Sequence, residues 1–154
     1  MREVCKLISL FLAGGTAYAC LELGYRGGTH WTMFVIGGVL FLLIGGLNEG
    51  LPWQLPLLFQ AMLGAAMVTL TELGAGVVLN LWLGLGIWDY TGLPCNVLGQ
   101  ICLPYTLLWG ALSAAAVVLD DWLRHWMWGE PLPRYQLWFR PRRRGEVARQ
   151  RKKW

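Results

Sequence analysis

Charge is what this sequence has least of. Asp, Glu, Lys and Arg make up 14% of its 154 residues, against 56% hydrophobic residues. A soluble domain carries roughly a quarter charged residues. So few charges do not cover the water-facing surface of a soluble fold. Lipid, which needs no charges on the faces it touches, removes the difficulty. Chemistry motifs are missing as well. The chain holds no Walker A phosphate loop, no GxSxG and no HExxH. ATP hydrolysis by this chain alone is therefore not expected, an enzyme is the less favoured class, and no cofactor is called for. The cysteines (Cys5, Cys20, Cys95 and Cys102) make no CxxC pair, and His30 and His125 lie far from them. No metal site is expected. Cys5 and Cys20 read as small apolar filling. Cys95 and Cys102 share one segment between spans, which leaves a disulfide open if that segment faces an oxidising compartment.

The few charges are unevenly placed. Residues 1–119 hold three basic residues (Arg2, Lys6, Arg26) and five acidic ones, a balance of −2. Residues 120–154 hold ten basic and four acidic residues, a balance of +6. The chain reads as an apolar body, 1–128, followed by a basic and flexible cytoplasmic tail, 129–154. Arg2 and Lys6 before an apolar stretch resemble a signal peptide, but Glu22 and Arg26 stand where a cleavage region belongs.

A spanning helix needs about 20 mainly apolar residues. Four stretches qualify or come close: 7–25, 31–47, about 56–83 and 103–119, the last continuing as an interfacial helix through Trp128. The third is longer than one span requires and is expected to tilt or break near Gly84-Leu85-Gly86. The fold class is thus an all-α integral membrane protein of about four transmembrane helices. Asn48-Glu49-Gly50-Leu51-Pro52 is rich in breakers and reads as a turn. The 84–102 connection mixes polar and apolar residues and reads either as an outer loop or as a re-entrant segment. Leu21-Glu22-Leu23-Gly24 echoes Thr71-Glu72-Leu73-Gly74, which points to a two-plus-two pseudo-repeat. Basic residues favour the cytoplasmic side, so both termini are expected there, in the cell membrane. Trp31, Trp53, Trp82, Trp88, Trp122, Trp126 and Trp128 fall near span ends, where an aromatic belt belongs.

The candidate site residues are polar groups in or beside oily helices. An ionisable side chain in a span costs a few kcal/mol on insertion scales and so faces protein or water. Glu72 shares a helix face with Thr69, Gly76 and Asn80. Glu22 lies four residues before Arg26, so the two pair along one face. Arg26 and His30 flank a two-glycine turn; a forked donor and a proton acceptor there suit an anionic head group, or an ion pair with Glu22. Trp88, Asp89, Tyr90, Asn96 and Gln100 form a third cluster, with Asp89 placed to accept from Arg26. The competing structural account of the two glutamates is that each pins helix packing. Small residues at helical spacing (Ala61, Ala65 and Thr69; Gly110 and Ala114) permit close helix approach.

Three segments carry a family resemblance: THWTMFVIGG at 29–38, TELGAGVVLNLWLGLGIWDY at 71–90, and NVLGQICLPYTLLWG at 96–110. They resemble the CmpB-like bacterial membrane family named for ABC-transporter type IV, which has relatives among vertebrate transmembrane proteins. The resemblance covers about residues 18–125. It implies a small multi-span membrane protein and singles out Glu22, Arg26, Gly27, Thr29, His30, Glu72, Asn80, Trp88, Asp89, Tyr90, Asn96, Gly99 and Gln100. Three functions stay open at this point. The first is a transporter or permease-like component with a polar intramembrane site. The second is an intramembrane enzyme on lipid-linked substrates, with His30 as acid/base and Arg26 holding a phosphate. The third is a membrane assembly protein that recruits partners through its tail. The bilayer is the expected partner, with anionic lipid at the tail; a homo-oligomer or a partner membrane subunit is expected because four spans are few, and nucleic acid is not.

Overall fold

A computed structural model describes residues 1–47, 55–131 and 135–137. Among the described residues four α-helices run up and down: α1, Arg2–Arg26; α2, Trp31–Gly45; α3, Leu57–Gly76; and α4, Leu103–Trp128. The chain continues from α3 as a π-helical segment, Val77–Trp82. No strand occurs among the described residues; one isolated bridge joins Val97 and Ile101. α1 packs mainly on α2, and α3 on α4, so the molecule is built from two helical hairpins. The expected turn at 48–52 and Trp53 lie outside the described residues.

What faces inward separates this bundle from a soluble one. The buried positions of α3 recur every three or four residues: Gln60, Gly64, Val68, Glu72 and Gly76. On α4 they are Trp109, Ser113, Val117, Asp120 and Arg124. Apart from Trp109, Val68 and Val117, these are small or polar residues. The large apolar ones point outward: Leu70 is 69% exposed and Leu107 67%, while Glu72 is 5% exposed. In water that arrangement forfeits about 1.5–3 kcal/mol per exposed leucine. In lipid it is the stable one, since small residues let helices approach and polar groups find partners inside. This is an all-α membrane protein. Among the described residues three segments are long and apolar enough to cross a bilayer, namely α1, α3 with its π-helical continuation, and α4. α2, at 15 residues, rises about 22 Å, short of a ~30 Å hydrocarbon core.

Glycine sets the closeness of the first hairpin. A Cβ on Gly37 would lie 2.5 Å from Tyr18 Cβ, and one on Gly38 would lie 2.7 Å from the Phe11 ring. The second hairpin closes where Gly64 meets Ser113. α1 and α4, by contrast, touch little, and a cleft remains between them at the end where α1 stops.

The opposite end is stitched by charges that the sequence reading assigned to an interface or to orientation only. Lys6 Nζ donates to Glu130 Oε1 at 2.5 Å, and Arg124 Nε to Asp120 Oδ2 at 2.5 Å. Lys6, Asp120, Asp121 and Arg124 are all buried. Residues 135 and 136 contact the bundle: Tyr135 donates to Asp121 at 2.6 Å, and Leu57 N donates to the Gln136 carbonyl at 2.7 Å. Burial and the Asp121 carboxylate push the Tyr135 phenol above its ordinary range.

Candidate functional site

The site is assembled where α1 and α3 end. α1 stops at Arg26 because Gly27 takes a left-handed conformation, φ 71°, and its N–H caps the Leu23 carbonyl. His30 then starts α2 as its N-cap, with Nδ1 2.8 Å from Thr32 Oγ1. Glu22, buried on the last turn but one of α1, is held by two residues that follow it in the chain. Its Oε1 accepts from Arg26 Nη1 at 3.2 Å, and its Oε2 from Thr29 Oγ1 at 2.5 Å. The other arm of Arg26 donates to the Ile87 carbonyl. One arginine thus ties the first hairpin to the connection that leaves the third helix.

That connection is folded rather than slack. The helix widens to π geometry from Val77, and Asn80 sits within the widened turn. Its amide works in three directions: Nδ2 donates to the Trp88 carbonyl at 3.0 Å and to Gln100 Oε1 at 2.8 Å, while Oδ1 accepts from Ile87 N at 2.7 Å. Trp88 Nε1 donates to the Gln100 carbonyl at 3.0 Å, so both ends of the connection are clasped. Gly76 makes room for the Gln100 side chain, and any Cβ there would collide with it. Asp89 accepts from Thr91 N and Oγ1, at 2.9 and 3.1 Å. Asn96 Nδ2 donates to the Thr91 and Leu93 carbonyls, and Asn96 Oδ1 accepts from Gly99 N at 3.3 Å. Gly99 has φ 67°, and a Cβ there would sit 2.6 Å from Thr91 Cγ2.

Glu72 lies behind this loop. Trp109 Nε1 on α4 donates to its Oε2 at 2.7 Å, and the Tyr90 hydroxyl donates to its Oε1 at 3.3 Å. Burial and the adjacent Glu72 carboxylate push the Tyr90 phenol above its ordinary range. Tyr90 stacks on Tyr105 with centroids 4.5 Å apart, and Tyr18 stacks on Trp109 at 5.9 Å. Between α1, α4 and the connection is a cavity of about 590 Å³, lined by Glu22, Arg26, Asp89 and these rings among others.

The structure therefore brings Glu22, Arg26, Trp88, Asp89 and Tyr90 to one cavity, with Glu72 hydrogen-bonded to two residues of its wall. Asn80, Asn96 and Gln100 stand outside the lining and hold the connection in shape. His30 also lies outside it, occupied as a helix cap. Several expectations change. Arg26 reaches the Ile87 carbonyl rather than Asp89, whose carboxylate is taken up by Thr91. Trp88 is not a belt residue: it is buried and hydrogen-bonded, whereas Trp31, Trp82, Trp122 and Trp126 are exposed near helix ends. Cys95 and Cys102 are free thiols, the first exposed and the second buried. Tyr18, Tyr105 and Trp109 were missed, though Tyr105 and Trp109 are four apart and so share a face of α4.

Such a bundle, oily outside and carrying buried carboxylates and stacked aromatics at one end, defines a small all-α membrane protein. The chain belongs to the family described as "Putative ABC-transporter type IV", whose profile matches residues 16–131. The match takes in the cavity and its supports from Tyr18 to Trp109. No curated protein and no solved structure shows a match to this chain.

Proposed function

We propose that this protein is a transporter or permease-like membrane component, and that the cavity bounded by Glu22, Arg26, Asp89 and Tyr90 is its solute site. One observation carries the reading: Glu22 lines the cavity, and Glu72, fifty residues on in a second apolar helix, hydrogen-bonds two residues of its wall, Tyr90 and Trp109. Both buried carboxylates thus bear on the same cavity. The family's transporter description agrees with this. The enzyme reading loses its parts, because His30 caps a helix away from the cavity and Arg26 is engaged by Glu22 and a backbone carbonyl.

In this reading both termini are cytoplasmic in the cell membrane, following the ten basic residues after Asp120. The basic tail lies against anionic lipid, each basic residue near the surface adding about 1 kcal/mol. The protein works as a homo-oligomer or beside a partner membrane subunit, since four helices enclose little space alone. Uptake into proteoliposomes tests the reading. Glu22→Gln and Glu72→Gln are each expected to reduce uptake of the transported solute at least tenfold. Unchanged uptake in both would sink it.

A further inference from the structure

The cavity's chemistry narrows what it accepts. Six of its fourteen lining residues are aromatic, namely Tyr18, Tyr25, Trp88, Tyr90, Tyr105 and Trp109. Rings of this kind run in series: Tyr90 on Tyr105 at 4.5 Å, Tyr105 against Trp109 at 6.5 Å, and Trp109 on Tyr18 at 5.9 Å. Electron-rich aromatic surface attracts cations, and most strongly where water is excluded. Two carboxylates line the cavity, Glu22 and Asp89, against one guanidinium, Arg26, for a formal balance of −1. Glu22 is buried, 8% exposed. Arg26 and Glu22 compensate each other as an ion pair, so the charge left over in the lining is the Asp89 carboxylate, whose donors, Thr91 N and Oγ1, are neutral. Metal ions are a poor match, since no group of three or more His, Cys, Asp or Glu side chains is gathered for one among the described residues. The remaining wall is aliphatic, with Leu21, Leu93, Leu108 and Leu112. A volume of about 590 Å³ lies in the range of small-molecule sites.

We infer that the cavity binds an organic ammonium ion carrying an apolar group, the ammonium against the aromatic wall and the apolar group along the leucines. The inference names the solute class for the transport reading and rests on it only for the cargo's fate; binding itself stands apart. Such an ammonium is either a free amine or a lipid head group.

The test is calorimetric titration of the full chain in phosphatidylglycerol nanodiscs, with empty nanodiscs subtracted. The probes are benzyltrimethylammonium, its neutral isostere neopentylbenzene, and benzenesulfonate. The ammonium is expected to bind about tenfold tighter than either, the factor of a desolvated cation–aromatic contact. Tyr105→Phe, which keeps the ring, is expected to stay within about threefold, and Tyr105→Leu to weaken binding about tenfold. Equal affinity for the neutral isostere, or tighter binding of benzenesulfonate, overturns the inference. So does a folded Tyr105→Leu chain that binds like wild type; if that variant does not fold, Tyr25→Leu against Tyr25→Phe on the exposed rim makes the same comparison. Phosphatidylcholine nanodiscs locate the source within the supported case: competition assigns the site to a lipid head group, and unchanged binding to a free amine. Ammonium binding without uptake removes the transport reading and keeps the site. Uptake of an uncharged or anionic solute, with no ammonium binding, does the reverse.

Discussion

Asn80 gives the sharpest structural prediction. Replacing it with leucine removes three hydrogen bonds at once: two from Nδ2, to the Trp88 carbonyl and Gln100 Oε1, and one to Oδ1 from Ile87 N. A net hydrogen bond contributes about 1 kcal/mol, and a buried partner left unpaired costs about as much or more. The clasp should weaken by about 3 kcal/mol, which is roughly a hundredfold rise in the open population. Cys102 reports it. Its thiol is buried at the far end of the clasped connection, while Cys5, Cys20 and Cys95 are exposed. With those three changed to serine, labelling of Cys102 in detergent by a maleimide fluorophore should be slow and limited by local opening. A single-cysteine chain keeping Cys95 supplies the unprotected rate. Asn80→Leu should speed Cys102 labelling about a hundredfold, with little change at the Cys95 reference. An Asn80→Leu rate within threefold of the parent would refute the claim that this amide closes the connection.

Other outcomes follow from the same contacts. Gly99→Ala combines a positive φ with a Cβ pressed on Thr91, and should lower stability by about 1–3 kcal/mol, seen as a lower thermal midpoint in detergent. Lys6→Met leaves Glu130 without its 2.5 Å partner. The expected loss is about 1–3 kcal/mol, below that of a fully buried pair because Glu130 keeps some solvent; a midpoint like wild type would assign that ion pair no stabilising role. Tyr90 has its phenol pushed upward by burial. A raised folded-state value means its contribution is whole below the ordinary phenol value of about 10 and fades as pH rises beyond it. Tyr90→Phe should therefore lose less stability than wild type as pH rises from about 10 to 12, and an identical alkaline profile would count against the burial.

Much of the fold was legible because lipid imposes simple rules. Long apolar runs gave α1, α3 and α4, and the glycine pair after Arg26 gave the first turn. The stripe of Thr69, Glu72, Gly76 and Asn80 also survived: Thr69 bonds Thr106 at 3.1 Å, and the others meet α4 or the connection. The connection itself was not legible. Its shape depends on Asn80 and Gln100 meeting across twenty residues and on the burial of Trp88, neither of which has a period to read. The charged end was misjudged for a related reason. Asp120 and Arg124, four apart, look like a solvated helix end, yet they continue the inward face of Ser113 and Val117. Tryptophans were read as a belt from their places near span ends, because aromatic stacking across α1, α4 and the connection exists only once those elements meet.

The central claim is that the two buried glutamates serve a solute site rather than hold the bundle together. Uptake by proteoliposomes bearing Glu22→Gln or Glu72→Gln decides it, provided each variant first shows the slow Cys102 labelling of a closed wild-type connection. The account predicts chains that remain closed yet lose uptake at least tenfold. Closed chains that transport like wild type would contradict it and return both glutamates to packing.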